Sequence, residues 1–409
     1  MTLTLLLDLD DTLLKNNIDT FVPAYLKLLG KHLAPYVSPE KMVRDLLSAT
    51  QAMVENNVAI RSLEHTFDEV FYPAIGWTKE ELHPMLEQFY DTVFPELKPL
   101  TAQHPQAIRM VEDAVRQGHT LVVATNPIFP RKAILHRINW AGLAPEQVPF
   151  ALITDYERFH FAKPNPDFFT EALAHLGWPN QPAVMVGNSL EDDILPAARV
   201  GLPTYWIVDQ ATTYPVEIQG LLHPKSASGP LENILDWLAE LDGAGLRLEF
   251  STPLAILSVL KSTVAVLDTL SKAIKDSQWQ VRPGLMEWSL TEIFCHIRDV
   301  DCEVNIPRIE KVIGETNPFL PGINADTWAV ERNYQDQDGH AALQHFLAAR
   351  TQLITKLAEL PDPDWRRPAR HAIFGPTNLK ELVNFIATHD RSHIQQCFAA
   401  ARYSADTEK

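Results

Sequence analysis

Apolar and polar positions along the chain fall into three successive regimes. The first is the run Leu5-Leu6-Leu7, which stops abruptly at Asp8-Leu9-Asp10-Asp11-Thr12. A short, unbroken apolar run of this kind predicts a strand buried on both faces. From 15 to about 100 the apolar residues recur at helical spacing: Phe21, Tyr25, Leu28 and Leu29, then Met42, Leu46 and Leu47, then Leu82, Met85, Leu86 and Phe89. From about 105 to 241 helix and strand patterns alternate. Helices are predicted over 107–117, 131–140, 166–176, 194–200 and 231–241, the first four closed by Gly118, Gly142, Gly177 and Gly201. Strands are predicted over 120–124, 150–154, 183–186 and 204–208. Alternation of this sort implies a parallel sheet with helices on both faces.

Residues 242–252, with Gly243, Gly245, Ser251 and Thr252 ahead of Pro253, read as a linker into an N-capped helix. Beyond it four long helical patterns, at roughly 253–275, 289–314, 339–360 and 378–402, are separated by polar, Pro-rich segments. They predict an all-α four-helix bundle. The expected architecture is thus an α/β, Rossmann-like core from 1–14 and 101–241, an α-helical cap inserted at 15–100, and the bundle at 253–409. A helical insertion directly after the first strand would lie over its carboxyl end, where a lid excludes water and selects substrates.

Composition narrows the partners. A chain of 409 residues is long for one core, and 46% hydrophobic with 21% charged residues suits a globular protein. The net charge of −17 argues against nucleic acid and against anionic membrane surfaces. No apolar run of about 20 residues is evident, and no secretory signal precedes the first strand. The three cysteines, Cys295, Cys302 and Cys397, form no CxxC, as expected for reduced thiols in the cytoplasm.

Chemistry-bearing residues gather where the strands end. Asp8 closes the first, with Asp10 in the following turn; Thr125-Asn126 follows the second. Lys163 lies in Phe161-Ala162-Lys163-Pro164, and Asn188 with Asp192-Asp193 follows the strand at 183–186. Each group alone is ordinary: turn chemistry, a loop lysine, first-turn acids on a helix. In one parallel sheet they would converge on one edge, since ligands bind beyond the carboxyl ends of the strands. Carboxylates around a divalent cation, with a hydroxyl and a lysine for phosphate oxygens, make a phosphoryl-transfer site.

The order of these residues resembles the haloacid dehalogenase-like (HAD) hydrolases over about 1–241. Asp8-x-Asp10-x-Thr12-Leu13 resembles that family's first motif, Thr125 the second, Lys163 the third, and Gly187-Asn188-Ser189 with Asp193 the fourth. The resemblance implies that Asp8 is the nucleophile of an aspartyl-phosphate and Asp10 the general acid, then base. It also implies that Thr125 and Lys163 hold phosphoryl oxygens. Mg²⁺ would be bound by Asp8, the Asp10 carbonyl, Asn188 and Asp193. Asn188 stands where the family usually has Asp, which costs the metal site one charge. Asp10 favours phosphatase over carbon–halogen chemistry, because a leaving alkoxide needs a proton donor.

In the last helical pattern His389 and His393 are spaced i, i+4, so both rings project from one face. His296 in the second pattern is a third candidate ligand. With Phe374-Gly375-Pro376-Thr377 they resemble the DinB/YfiT-like bundles over about 253–402. That resemblance implies a divalent transition metal (Zn, Ni or Fe) on His296, His389 and His393, and in some members thiol-dependent transfer. Asp299 and Glu303, on the His296 face, read first as ordinary polar positions and only second as partners behind the ligands, while Cys295 and Cys302 read as packing residues. Arg131 and Lys132, just after the second motif, read first as exposed bases at a helix N-terminus and only second as a site for another anionic group of the substrate.

Three functions follow as expectations. The first is a Mg²⁺-dependent phosphatase of a small phosphorylated metabolite with an attached metal-binding bundle. The second places the main activity, a metal-dependent and optionally thiol-using transfer or hydrolysis, in the bundle. The third is a degenerate HAD domain that binds a phosphorylated ligand without turnover. A homodimer through the bundle is the expected assembly.

Overall fold

The computed structural model describes residues 1–241, 245–246 and 248–407. The chain forms two compact units, Met1–Ala172 with Pro179–Glu249, and Leu173–Trp178 with Phe250–Lys409.

In the first unit, strand β1 (Thr4–Leu7) leads into a short hairpin, β2 (Leu14–Asn16) paired antiparallel with β3 (Thr101–Gln103). Between these two strands, where a cap is expected, lie four helices: α1 (Ile18–Leu33), α2 (Pro39–Glu55), α3 (Leu63–Ile75) and α4 (Lys79–Thr92). Asn17, Ser38, Ser62 and Thr78 cap their N-termini through side-chain oxygens, so each helix starts at a residue that can satisfy its free N–H groups. The helical spacing read along 15–100 corresponds to these elements. The hairpin at their base, only three residues per strand, is too short to show a period.

The core continues through α5 (Pro105–Arg116), β4 (Thr120–Val123), α6 (Arg131–Trp140), β5 (Phe150–Ile153), α7 (Asp167–His175), β6 (Ala183–Gly187), α8 (Leu195–Arg199) and β7 (Thr204–Ile207). The short α9 (Val216–Gln219), β8 (Ala227–Gly229) and α10 (Ile234–Glu240) complete it. The sheet is parallel, in the order β5-β4-β1-β6-β7-β8. β1 is flanked by β4 and β6, and Leu5, Leu6 and Leu7 are fully buried. This is the α/β fold expected, with the added edge strand β8. Of the linker expected at 242–252, residues 242–244 and 247 lie outside the described residues; Leu246 and Phe250 are buried.

The second unit is a bundle of α11 (Pro253–Ala273), α12 (Leu290–Val300) continued by α13 (Ile306–Gly314), α15 (Gly339–Ala358) and α16 (Leu379–Thr407), with α14 (Trp328–Glu331) in the connection. α11 and α12 each pack on both α15 and α16. A capping box between Ser289 and Glu292 starts α12. A π-turn, Asp301–Asn305, inserts between α12 and α13. The bundle is not purely helical. The segments read as loops carry a small sheet, β11 (Gly375–Asn378), β10 (Pro368–His371) and β9 (Phe319–Leu320), in that order.

One expectation needs correcting. Pro253–Ala273 is long and apolar enough to cross a membrane, with a mean hydropathy of 1.6. In this structure 67% of its most apolar 18-residue window is buried, and the helix brings Ser258, Ser262, Thr263 and Asp268 inside with it. A helix apolar nearly all round is what a bundle core requires.

Candidate active site and metal centre

Asp8 follows β1 directly, and its N–H donates to the Val186 carbonyl on β6 (3.0 Å). The strand register therefore sets its carboxylate at the sheet's carboxyl edge, only 8% exposed. Lys163, in the loop after β5, donates from Nζ to Asp8 Oδ1 (2.8 Å) and to Asp193 Oδ1 (2.5 Å). Asn126 holds the lysine loop: its Oδ1 accepts from Lys163 N–H (3.1 Å) and its Nδ2 donates to the Lys163 carbonyl (3.4 Å). Thr125, two residues past β4, is buried and lines the same cavity, of about 260 Å³.

Two carboxylates share one ammonium in this buried cluster. Burial, then the charge of Asp193, pushes the Asp8 carboxyl up to about 7 despite Lys163. Burial likewise raises Asp193, against the pull of Lys163. Burial disfavours charged Lys163, but Asp193 and Asp8 outweigh it and keep the lysine protonated.

Of the two adjacent acids after β6, Asp193 faces Lys163, and its Oδ2 accepts from the Ser189 N–H (3.0 Å). Asp192 turns to the Ser189 hydroxyl, whose oxygen caps the helical turn at the Asp192 N–H (3.0 Å). Gly187 makes this possible, since a Cβ there would lie 2.2 Å from Asp193 Oδ2. Gly187→Ala is therefore expected to displace the Asp193 carboxylate and to lower any Mg²⁺-dependent turnover at least tenfold. A metal titration of activity against wild type checks this.

Asn188 lines the cavity, with its Oδ1 accepting from the Thr12 hydroxyl (3.3 Å). An amide oxygen has a second lone pair, so it remains a donor to a metal. Asp8, Asp10, Asn188 and Asp193 thus give one cavity a set of hard oxygen donors, which suits Mg²⁺. Asp10 carries a contact that sequence spacing does not reveal. Its Oδ2 accepts from Arg137 Nη1 (2.6 Å) and its Oδ1 from Asn16 Nδ2 (2.7 Å). Arg137, on α6, is 2% exposed and lies over the Phe129 ring. Arg131 and Lys132 do not serve the cavity: Arg131 donates to Asp155 (2.8 Å), and Lys132 bridges Glu87 (2.7 Å) and Asp91 (2.8 Å).

In the bundle, α12 and α16 bring three rings together. His389 Nε2 lies 3.3 Å from His296 Nε2 and 3.0 Å from His393 Nε2. Ligand nitrogens of all three fall within 4.8 Å of one another. Burial holds the rings neutral, lowering His296 and His393 to about 4 and His389 to about 2. Neutral imidazoles converging through Nε2 make a donor set that suits a divalent transition metal. Gln396 Oε1 accepts from His393 Nδ1 (2.8 Å), which turns the Nε2 lone pair inward. Trp288 flanks the group, parallel to the His393 ring.

Asp299 and Glu303 are not the partners behind His296. Arg298, Arg332 and Tyr334 occupy Asp299, Arg332 also occupies Glu303, and His296 Nδ1 is buried without a hydrogen bond. The buried residue that adjoins the centre, through Asp390, is Arg350 on α15. It is 1% exposed and joins Asp301 of the π-turn (2.7 and 2.8 Å) to Asp390, the neighbour of His389. The only hint of it in the sequence is an Asp between apolar positions of α16. Cys295 is buried and Cys302 partly so, both as free thiols.

Residues 2–201 match the family model of the haloacid dehalogenase-like hydrolases, and residues 260–397 that of the DinB superfamily. A 2-haloacid dehalogenase from Pseudomonas syringae pv. Tomato DC3000 is 21% identical, over 58% of this chain and 99% of that one, with a TM-score of 0.41. An HAD phosphatase from Thermococcus onnurineus is 20% identical, over 58% and 98%, with a TM-score of 0.38. YfiT from Bacillus subtilis, described as a probable metal-dependent hydrolase with an unusual four-helix bundle topology, is 18% identical, over 36% and 84%, with a TM-score of 0.33. The protein YuaE of Bacillus subtilis (strain 168) is 21% identical over 136 residues, 31% of this chain and 84% of its own. The chain joins a haloacid dehalogenase-like hydrolase domain at 2–201 to a DinB-superfamily domain at 260–397.

Proposed function

We propose that the first domain is a phosphatase of a small phosphorylated metabolite, acting through a phosphorylated Asp8. The observation that carries this reading is Lys163 held between Asp8 and Asp193 with a second carboxyl, Asp10, two residues from the nucleophile. Asp8 would attack phosphorus while Lys163 and the Thr125 hydroxyl hold the phosphoryl oxygens. Asp10 would give its proton to the leaving alkoxide and take one from the water that hydrolyses the aspartyl-phosphate. Arg137 and Asn16 orient its carboxylate for the second of these steps. Mg²⁺, on Asp8, the Asp10 carbonyl, Asn188 and Asp193, would neutralise charge developing on the transferred group.

The helical insertion favours a largely apolar leaving group, with ionisable His83 and Glu87 on its cavity wall. A cavity of about 120 Å³ among Tyr25, Leu26, Phe67 and Tyr156 shares Val22, Ile128 and Phe129 with the catalytic cavity. Arg131 and Lys132 are already neutralised by carboxylates. The test is a panel of phosphomonoesters and 2-haloacids offered to the full chain with Mg²⁺. Phosphate release lost in Asp8→Asn supports the reading; halide release without phosphate release sinks it.

A second reading, favoured by the convergent histidines, adds a metal-dependent hydrolase or transferase in the bundle. Elemental analysis is expected to find about one transition-metal ion per chain, lost in His296→Ala/His389→Ala.

A further inference from the structure

The histidine centre opens on a cavity of about 590 Å³, within the range of small-molecule sites. His296 and His389 line one part of it; Arg308 on α13 and His371 on β10 line another. The π-turn is what puts Arg308 there. In an unbroken helix, twelve residues would carry Arg308 about 120° round from His296. A π-turn absorbs one residue and brings the two back to within about 20° of each other. The residue that locks this turn is Asp301, held by Arg350. The irregularity thus turns a guanidinium onto the face of a metal-ligand candidate.

Arg308 has spare capacity. Its Nη2 donates to the Pro321 carbonyl (2.7 Å), but its Nε is buried with no hydrogen-bond partner. Among the described residues no carboxylate pairs with it, and burial is the sole influence lowering its basicity. Beside it, buried His371 accepts the Ile373 and Phe374 N–H groups on Nδ1 (3.2 and 3.4 Å). That leaves the proton on Nε2 as a donor. The rest of the rim is mixed: Asn305, Asn324 and the exposed carboxylate of Asp326 line it beside apolar residues open to solvent. Phe374 stacks between His371 and Phe385, at centroid distances of 4.7 and 4.5 Å, and Ile373 and Ile323 are exposed. Exposed apolar residues around a cavity mark a binding surface, and a half-buried guanidinium with no carboxylate partner suits an anion.

We propose that this cavity binds a small organic acid, with its carboxylate on Arg308 and His371 and its apolar body along Phe374 and Phe385 toward the three histidines. A planar guanidinium matches a carboxylate through two parallel hydrogen bonds, which an ammonium does not. The anion end needs no metal, so it stands or falls separately from the second reading above.

The test compares 3-phenylpropionate with 3-phenylpropionamide as probes, by NMR titration of the full chain, metal-free and after loading with Zn²⁺. The acid is expected to bind about tenfold or more tighter than the amide in both forms, as charge-assisted hydrogen bonds require. Arg308→Gln is expected to erase that preference and Arg308→Lys to keep part of it, with metal content unchanged in both. Equal binding of acid and amide to wild type, an undiminished preference in Arg308→Gln, or no saturable binding of the acid at millimolar concentration would overturn the proposal. Loss of metal without loss of the acid preference would count against the metal centre alone.

Discussion

Replacing Arg350 by leucine is expected to destabilise the bundle by about 3–5 kcal/mol, the cost of stranding buried charges. Arg350 and both its partners are essentially inaccessible: Arg350 1%, Asp301 0% and Asp390 2% exposed. Burial disfavours the charged guanidinium, but the two carboxylates outweigh this and hold it firmly protonated. Leucine would leave two carboxylates facing each other inside the bundle with only weak donors, such as Asn305 Nδ2 on Asp301 (2.9 Å). Urea unfolding monitored in the far ultraviolet would show the loss as a lower midpoint. A companion variant decides the cause. Arg350→Leu/Asp301→Leu/Asp390→Leu removes all three charges together, and much of the stability is expected to return. If the triple variant were as unstable as the single one, packing rather than charge would be the function of Arg350. Because Asp390 adjoins His389, the single variant is also expected to bind any transition metal more weakly.

Arg350 also marks where sequence reading stops. The paired histidines were legible because a helix turns a four-residue spacing into a shared face. The strand-end acids were legible because a parallel sheet gathers its carboxyl ends on one edge. Both inferences use only local geometry plus one rule of topology. The two arginine partnerships at these sites obey neither. Arg137 reaches Asp10 across 127 positions and Arg350 reaches Asp301 across 49, and no spacing rule links them. The same holds for Asp299, which helical phase assigned to the His296 face. Phase fixes direction from the helix axis, but Arg332 and Tyr334, from a segment without periodicity, decide what the carboxylate meets.

Short strands were missed for a related reason. β2, β3 and β8 have three residues each and β9 two, too few to display alternation. They are held by pairing partners that are distant in the chain. β9 pairs with β10 through Arg370 with Phe319 and His371 with Leu320, and that register brings His371 to the bundle cavity. The π-turn is equally invisible in the apolar pattern, since one absorbed residue shifts the phase of α13 without interrupting it.

Asp8→Asn is expected to abolish hydrolysis and, in the metal-free protein, to raise stability at pH 8. The strand-end cluster sets Asp8 and Asp193 against Lys163, and Asp10 against Arg137, so it holds one carboxylate more than its cations balance. The strain shows in Asp8, whose carboxyl sits at about 7 against an ordinary 3.8, with burial the main cause and Asp193 next. The sign follows from proton uptake. Between about pH 4 and pH 7 the folded protein holds a proton on Asp8 that the unfolded chain has released, so stability falls as pH rises through this window. Above pH 7 the penalty is complete, on the order of a few kcal/mol. Asparagine keeps the shape and an acceptor for Lys163 but carries no charge, leaving Lys163 paired with Asp193 alone. Thermal unfolding in EDTA is therefore expected to show Asp8→Asn above wild type at pH 8, with the gap closing as pH falls through 7 toward 4. Added Mg²⁺ should narrow the gap from the other side, because a divalent cation among the oxygens stabilises the charged wild-type cluster by mass action. An Asp8→Asn protein less stable than wild type at pH 8 without metal would mean that the carboxylate is favourable where it lies. Asp8 would then be a structural partner of Lys163 rather than a nucleophile held ready in an unfavourable site.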